Sequence, residues 1–208
     1  MKKKLTIIAG SWIFLAASAV HAAPNAPYYF GAGIGLSSLR DATLSESGVP
    51  FSIDAEFSAG FGLSAALGYD FDFARMDLEL GYKKNDINNF SAFGISVPAS
   101  GDVTSKSVMM NFYHDFTTSD SRWSPFLGAG LGVTRLNVDN ATIIGFPLGE
   151  ASDTVFAWQL MAGIGYKVAN NTIIDLSYRY FATTAPDFDG MKAEYNSHNV
   201  MVGLRFLF

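Results

Sequence analysis

The stretch FSAGFGLSAALGYDF, residues 57–71, decides the fold of this 208-residue chain. Every odd position in it is apolar, whereas the even positions are small or polar. A repeat of two residues places all of the apolar side chains on one face of a β-strand. The run is longer than a water-soluble sheet ordinarily needs, and a tilted strand crosses a bilayer in about 9–11 residues. The stretch therefore predicts a transmembrane β-strand.

Seven further segments repeat this alternation. The eight predicted strands cover residues 28–39, 57–71, 75–84, 104–116, 123–136, 154–168, 172–181 and 197–208. Short connections alternate strictly with long ones, which lie near residues 40–56, 85–103, 137–153 and 182–196. Short periplasmic turns and long extracellular loops are typical of outer-membrane barrels. The sequence therefore predicts an all-β protein, an eight-stranded antiparallel up-and-down transmembrane β-barrel with four long extracellular loops.

The composition supports a membrane protein that crosses lipid with strands. Hydrophobic residues make up 49% of the chain and charged residues only 16%, below the usual quarter. In lipid every backbone polar group must be paired, which leaves helices and closed barrels. A net charge of −5 argues against nucleic-acid binding, and zero cysteines exclude disulfides and thiolate metal sites. A soluble periplasmic β-sandwich is the alternative, but its outward faces would be polar.

The first 22 residues have the pattern of an export signal. Three lysines at positions 2–4 precede an apolar run over residues 5–20, and Val20-His21-Ala22 offers a cleavage site. The alternative is a transmembrane helix, but the run is shorter than the roughly 20 residues that span a bilayer. The sequence predicts a cleaved signal peptide over residues 1–22 and a barrel domain over residues 23–208.

Charged residues alternate with the apolar rows and so are predicted to face the lumen. An eight-stranded barrel is just wide enough for side chains to fill it, and unpaired buried charges are expensive. We therefore expect a network of opposite charges that plugs the lumen. Its predicted members are Asp70, Asp77, Glu79, Lys83, Asp175, Arg179 and Arg205, with Asp72, Arg75, Asp115, Gln159 and Lys167 on the same faces. A narrow polar pore is the alternative, because the many inward glycines would admit water.

Aromatic residues cluster at both ends of the predicted strands, as interfacial girdles do. The periplasmic set is Tyr28, Tyr69, Phe71, Phe116, Trp123, Tyr166, Phe206 and Phe208. The outer set is Phe57, Tyr82, Phe156, Trp158, Tyr178 and Tyr180.

Signs of catalysis are weak. Ser197-His198, with Glu194 nearby, faintly resembles the serine, histidine and carboxylate of barrel enzymes that modify lipid, but an interfacial histidine is the better explanation. The glycine-rich stretches 31–35 and 128–132 lack the following helix that a nucleotide-binding loop needs. The sequence predicts no enzymatic activity, no cofactor and no metal site.

Apolar residues in the predicted loops are candidate contacts with a partner, since loops commonly carry function. These candidates are Phe90, Phe93, Ile144 and Phe146. Extension of the strands above the membrane, or packing between loops, would explain the same residues.

Four motifs carry a family resemblance: residues 29–35 (YFGAGIG), 125–133 (PFLGAGLGV), 175–180 (DLSYRY) and 199–206 (NVMVGLRF). Together they resemble the opacity-protein, OmpA-like and surface-antigen family of eight-stranded outer-membrane barrels. The resemblance implies a structural barrel, surface antigen or adhesin in the outer membrane of a Gram-negative bacterium. A small channel for ions or hydrophobic solutes is the alternative, and a lipid-modifying enzyme is a third.

The resemblance also implies partners. They are outer-membrane lipid and lipopolysaccharide, the barrel assembly machinery, and host-cell or matrix components, but not nucleic acid. The aromatic end of the last strand, Phe206 and Phe208, is similar to the signal that barrel assembly machineries read.

Overall fold

The computed structural model describes residues 27–40, 42–46, 52–71, 73–92, 95–116, 121–143, 146–188, 191–192 and 195–208. The expected signal peptide lies outside these residues and stays a prediction. Within the described ranges, no helix is long and apolar enough to cross a membrane.

The described chain forms one antiparallel sheet that closes on itself. Its strands are β1 (Tyr28–Leu39), β2 (Ala42–Glu46), β3 (Ser52–Phe57), β4 (Gly60–Asp70), β5 (Ala74–Ala92), β6 (Ile95–Asp115), β7 (Trp123–Ile143), β8 (Phe146–Ala169), β9 (Thr172–Thr183), β10 (Asp187–Phe188), β11 (Met191–Lys192) and β12 (Asn196–Leu207). The wall follows the order β4, β1, β12, β9, β8, β7, β6, and the β5–β6 and β4–β5 ladders close the ring. The predicted eight-stranded antiparallel barrel is confirmed, with β2, β3, β10 and β11 as short additions at the extracellular end.

The first and last strands of the wall pair with each other. β1 and β12 are in register from Tyr29 opposite Leu207 to Leu39 opposite Ser197. Beyond the ladder, the Phe208 N–H donates to the Tyr28 carbonyl oxygen at 2.9 Å, and the two rings stack with centroids 6.4 Å apart. This seam leaves no unpaired edge in the wall, which is the condition for a sheet in lipid.

The outer surface of the wall is an apolar belt between two girdles of aromatic residues. Large exposed side chains of the belt include Ile34, Leu63, Leu67, Leu78, Leu80, Met110, Phe112, Leu127, Leu131, Leu160, Leu176, Val202 and Leu204. At the periplasmic end Trp123 contacts Tyr166, with ring centroids 4.5 Å apart. At the outer end Trp158 contacts Tyr180 at 5.4 Å. Such a continuous apolar surface is unfavourable in water and is the expected face toward lipid.

Two hairpins are much longer than the alternation indicated. β5 and β6 stay paired up to residues 92 and 95, and β7 and β8 up to residues 143 and 146. The predicted loops 85–103 and 137–153 are therefore largely strand. The Asn and Asp residues of these segments favour turns. The strands nevertheless stay paired through them, with β-bulges or irregularities next to Ile87 and Ser100 and at Asn140, whose φ is 55°.

The deciding stretch itself is interrupted at its extracellular end. β3 ends at Phe57 and β4 begins at Gly60, so the predicted strand 57–71 is not continuous. Asn85 reaches the break, where its Nδ2 donates to the Ser58 carbonyl oxygen at 3.2 Å. As a result Phe57 packs against the interior apolar cluster and does not join the outer aromatic girdle, which corrects its predicted position.

Candidate functional site in the lumen

The centre of the lumen holds a carboxylate bound by two uncharged donors. Asp77 lies on the inward face of β5 and is 6% exposed. The Tyr29 hydroxyl donates to its Oδ2 at 2.8 Å, and Asn111 Nδ2 donates to its Oδ1 at 2.8 Å. These bonds tie β1, β5 and β6 together across the interior.

A second carboxylate, two residues further along β5, is the hub of a network across the barrel. Glu79 accepts hydrogen bonds from Arg179 Nη1 at 2.5 Å and from Gln159 Nε2 at 3.3 Å. Gln159 Nε2 also donates to Asn111 Oδ1 at 2.8 Å, which joins this carboxylate to the bonds around Asp77. Since Arg179 is on β9 and Gln159 on β8, the network spans opposite walls.

A bidentate ion pair lies between β12 and β9. Arg205 donates from Nε to Asp175 Oδ2 at 2.6 Å and from Nη2 to Asp175 Oδ1 at 2.9 Å, and both residues are buried. Gly165 of β8 makes room for the pair, because a Cβ there would lie 2.9 Å from Asp175 Oδ1 and 3.0 Å from Arg205 Nη2. Paired, hydrogen-bonded geometry is what makes two buried charges tolerable.

The periplasmic mouth is closed by an arginine that stacks between aromatic rings. Arg75 Nε donates to Asp115 Oδ2 at 2.8 Å. Its guanidinium lies 4.1 Å from the ring centroid of Tyr113 and 4.6 Å from that of Phe126. Cation–π contacts in a desolvated site add about 2 kcal/mol, so the mouth combines charge pairing with close packing.

Lys83 marks the change from polar to apolar filling. Its Nζ lies 3.1 Å from the centroid of the Phe181 ring and 3.5 Å from Ser197 Oγ. Above it, the lumen is filled by an apolar cluster. The buried members of this cluster are Leu39, Ile87, Val103, Met109, Leu136, Val155, Ala157, Phe181 and Tyr195. This apolar cluster was not predicted from the sequence, because most of its residues lie in segments that were interpreted as loops or as ends of strands.

The cavities beside the network are small. Two cavities of about 50 and 30 Å³ lie beside the network, the larger lined by Tyr29, Asp77 and Arg205 among others and the smaller by Lys83 and Phe181 among others. A water needs roughly 10–15 Å³ of such volume, so each cavity accommodates a few waters. The lower half of the lumen around these cavities is therefore polar, and the upper half holds the apolar cluster.

Most of the predicted lumen residues meet in this network. The structure brings together Asp77, Glu79, Lys83, Asp175, Arg179 and Arg205, with Arg75, Asp115 and Gln159. Asp70 lies half-buried at the periplasmic end of β4, in register with Arg75. Lys167 is exposed at the periplasmic rim, and Asp72 lies outside the described residues. Tyr29 and Asn111 were not among the predicted members of the network, although the alternation puts both on inward positions.

The faint catalytic pattern is not assembled in the described part of the chain. Ser197 is fully buried toward the lumen, whereas His198 faces outward, with its Nδ1 2.6 Å from Tyr178 Oη. Adjacent residues of a strand point to opposite faces, so this serine and this histidine cannot act as a pair. Glu194 lies outside the described residues. No group of three or more metal-ligating side chains was found among the described residues.

The candidate loop contacts are only partly described. Phe146 begins β8 and its side chain is 74% exposed. Phe93, Ile144 and the side chain of Phe90 lie outside the described residues.

A closed eight-stranded barrel with an apolar outer belt, and with a charged network in the lower half of its interior, defines an outer-membrane β-barrel protein. The chain belongs to the family described as outer membrane protein beta-barrel domain, which it matches over residues 8–206. It is an integral protein of the outer membrane of a Gram-negative bacterium, as the sequence predicts.

Individual relatives agree with this assignment. Outer membrane protein PagN of Salmonella typhimurium is 33% identical over 135 residues, which cover 58% of this chain and 56% of PagN, so the match spans little more than half of that relative. Neisserial surface protein A has a TM-score of 0.58 at 24% identity, covering 90% of this chain and 99% of that one. OprG of Pseudomonas aeruginosa has a TM-score of 0.57 at 13% identity, covering 88% of this chain and 96% of OprG. The two structures support the fold alone.

Proposed function

We propose that this protein is a non-conducting, non-enzymatic barrel that acts at the cell surface through its extended extracellular hairpins. The observation that carries the proposal is the filled lumen. Three ion pairs, Arg75–Asp115, Arg179–Glu79 and Arg205–Asp175, cross its lower part. The apolar cluster fills its upper part. A barrel filled in this way offers little path for solutes, so its interactions take place on the outside.

The hairpin of β7 and β8 extends well beyond the outer rim of the membrane-facing wall. Beyond Arg135 at the outer rim, β7 continues to Ile143, a rise of about 27 Å along the strand. Its partner β8 begins at Phe146, whose ring is exposed well above the belt. A rigid paired hairpin loses less conformational entropy on binding than a flexible loop does. The preferred partners are therefore host-cell or matrix components that contact these tips.

Contacts inside the bacterial envelope complete the proposal. We infer that lipopolysaccharide is the neighbour of the outer half of the wall, an inference that the apolar belt and its rims support. Barrel assembly machinery is the proposed partner during insertion, with Phe206 and Phe208 at the end of the last strand as the signal that it reads.

Planar-bilayer recording tests the filled lumen. The refolded protein should show no reproducible current steps, because the ion pairs and the apolar cluster block the path. Arg179→Ala/Phe181→Ala removes one large side chain from each half and should produce steps, provided that its unboiled form still migrates fast on a gel. Regular steps from the unaltered protein would reject the non-conducting barrel.

A shortened hairpin tests the surface role. Val138 and Ala151 are partners across β7 and β8, so joining them through an Asn-Gly turn removes the tip and preserves the ladder. Binding of cells that express this variant to cultured epithelial cells or immobilised matrix should fall several-fold. A matched control, Phe146→Ser, changes only the exposed ring and should show a smaller loss. Full binding by the shortened protein would exclude adhesion through this hairpin.

A further inference from the structure

Two basic side chains stand next to each other on the outside of the barrel. Lys106 of β6 and Arg135 of β7 are directly opposite in the β6–β7 ladder, and both are exposed. Cβ atoms at such positions are about 4.5–5.5 Å apart, and like charges placed this way destabilise a sheet. Among the described residues neither forms an ion pair. An anion that binds between the two cations would relieve their repulsion, and it would have to come from another molecule.

The pair sits directly on the border of the lipid-facing belt. The next outward partners toward the periplasm are Val108 and Val133, 44% and 50% exposed, and the row continues with Met110 and Leu131. Tyr82 of the outer aromatic girdle is the other neighbour of Lys106 in register. The two cations are therefore at the level of the lipid headgroups of the outer leaflet.

The guanidinium of Arg135 is held in place at this border. Its Nε donates to Asn137 Oδ1 at 3.3 Å, and its Nη2 donates to Ser152 Oγ at 3.2 Å. These bonds use two of the five N–H donors of a guanidinium. The remaining donors, together with the Lys106 ammonium, match the tetrahedral oxygens of a phosphate group.

Acidic residues of the same face lie further from the membrane. Asp102 and Asp139 are partners four residues beyond Lys106 and Arg135, a rise of about 13 Å. Asp102 is engaged by Lys84 at 3.1 Å, and this hydrogen-bonded ammonium lowers the pKa of the Asp102 carboxyl. The separation exceeds the Debye length of about 8–10 Å at physiological salt, so these carboxylates do not cancel the attraction of the pair for an anion.

We propose that Lys106 and Arg135 form a binding site for a phosphate group of a phosphorylated glycolipid in the outer leaflet. The acyl chains of that lipid would lie along the row of Val108, Val133, Met110 and Leu131. This inference rests on the proposed contact with lipopolysaccharide and narrows it to one position on the wall. A soluble sulfated polysaccharide would also bind the cations of Lys106 and Arg135, but it has no acyl chain to lie along the apolar row on the membrane side of this pair.

The test is lipid retention by the full-length protein. Unaltered protein and Lys106→Gln/Arg135→Gln are reconstituted in phosphatidylcholine vesicles that contain lipid A, extracted in mild detergent and examined by native mass spectrometry. Two cations near a membrane surface contribute enough affinity for a change of about tenfold or more, so the variant should retain that much less lipid A. With lipid A stripped of its phosphates, the two proteins should retain equal amounts.

Matched variants separate this site from a general effect of charge. Arg122→Gln/Lys167→Gln removes an exposed basic pair at the periplasmic end of β7 and β8, where the Lys167 N–H donates to the Arg122 carbonyl oxygen at 2.8 Å. It should retain lipid A normally, as should Lys106→Arg/Arg135→Lys. Equal retention by the two Gln double variants would overturn the site. A loss of heparin binding with unchanged lipid A would also overturn it, in favour of a soluble ligand. Neither result bears on conductance or on the hairpins, so the proposed surface role is judged separately.

Discussion

Replacing Arg205 with methionine should lower the free energy of unfolding by about 3–5 kcal/mol, because it leaves the buried Asp175 carboxylate without its partner. Both donors of the bidentate pair, at 2.6 and 2.9 Å, are lost at once. Hydration through the cavity of about 50 Å³ beside the pair can replace them only in part. Urea titration of the refolded protein in lipid vesicles, followed by tryptophan fluorescence, measures the change.

A double variant distinguishes loss of a partner from loss of packing. Arg205→Met/Asp175→Val removes both charges, and replacing a buried pair by apolar side chains is often close to neutral. It should recover at least half of the stability lost by Arg205→Met. Arg122→Met, at the exposed periplasmic rim, is the control and should change the stability by less than about 0.5 kcal/mol. If the double variant were less stable than Arg205→Met, the ion pair would not be the source of the effect.

The wall of the barrel could be predicted from the sequence because the membrane enforces a simple rule. Lipid contacts one face of every strand, so each crossing segment repeats with a period of two, as residues 57–71 do. The strand count, the antiparallel order and the inward or outward position of each residue follow from that period. The same period predicts that Glu79 and Arg179 lie in the lumen, where the structure shows them in contact.

The partners inside the lumen could not be predicted in the same way. Glu79 and Arg179 are 100 residues apart and meet across the barrel from strands that are not neighbours. Their heights depend on the stagger between strands, which alternation alone does not determine. A pattern of inward charges therefore predicts that a network exists, but not which atoms are paired.

The ends of the strands were predicted least well. Above the membrane the outward face meets water, so the period-two signal fades even though the ladders continue. Ile87 and Val103 show the result, since both lie in a predicted loop and yet pack inside the extended barrel. Backbone pairing needs no apolar pattern. The polar extracellular parts of β5 and β8 were therefore not predicted as strands.

Leu127→Arg should destabilise the protein in lipid vesicles by about 2–4 kcal/mol, the range for arginine on the lipid-facing side of a barrel near the bilayer midplane. Leu127 is 55% exposed and lies on β7 midway between Trp123 of the periplasmic girdle and Leu131, the register partner of Trp158 in the outer girdle. In a water-soluble sheet the same change on an exposed face would cost almost nothing. The sign and size of this effect therefore report what surrounds the belt.

A series along one row makes this test quantitative. Val133→Arg lies three outward positions nearer the rim, and Thr154→Arg faces Arg135 across the β7–β8 ladder. The cost of a buried charge falls to about 0–1 kcal/mol near the interface, so the loss of stability should decrease in the order Leu127, Val133, Thr154. Equal effects at the three positions would show that the row does not cross a gradient from lipid to water. A graded loss places the outer interface at the level of Lys106 and Arg135, which is the level that a phosphate site for lipid requires.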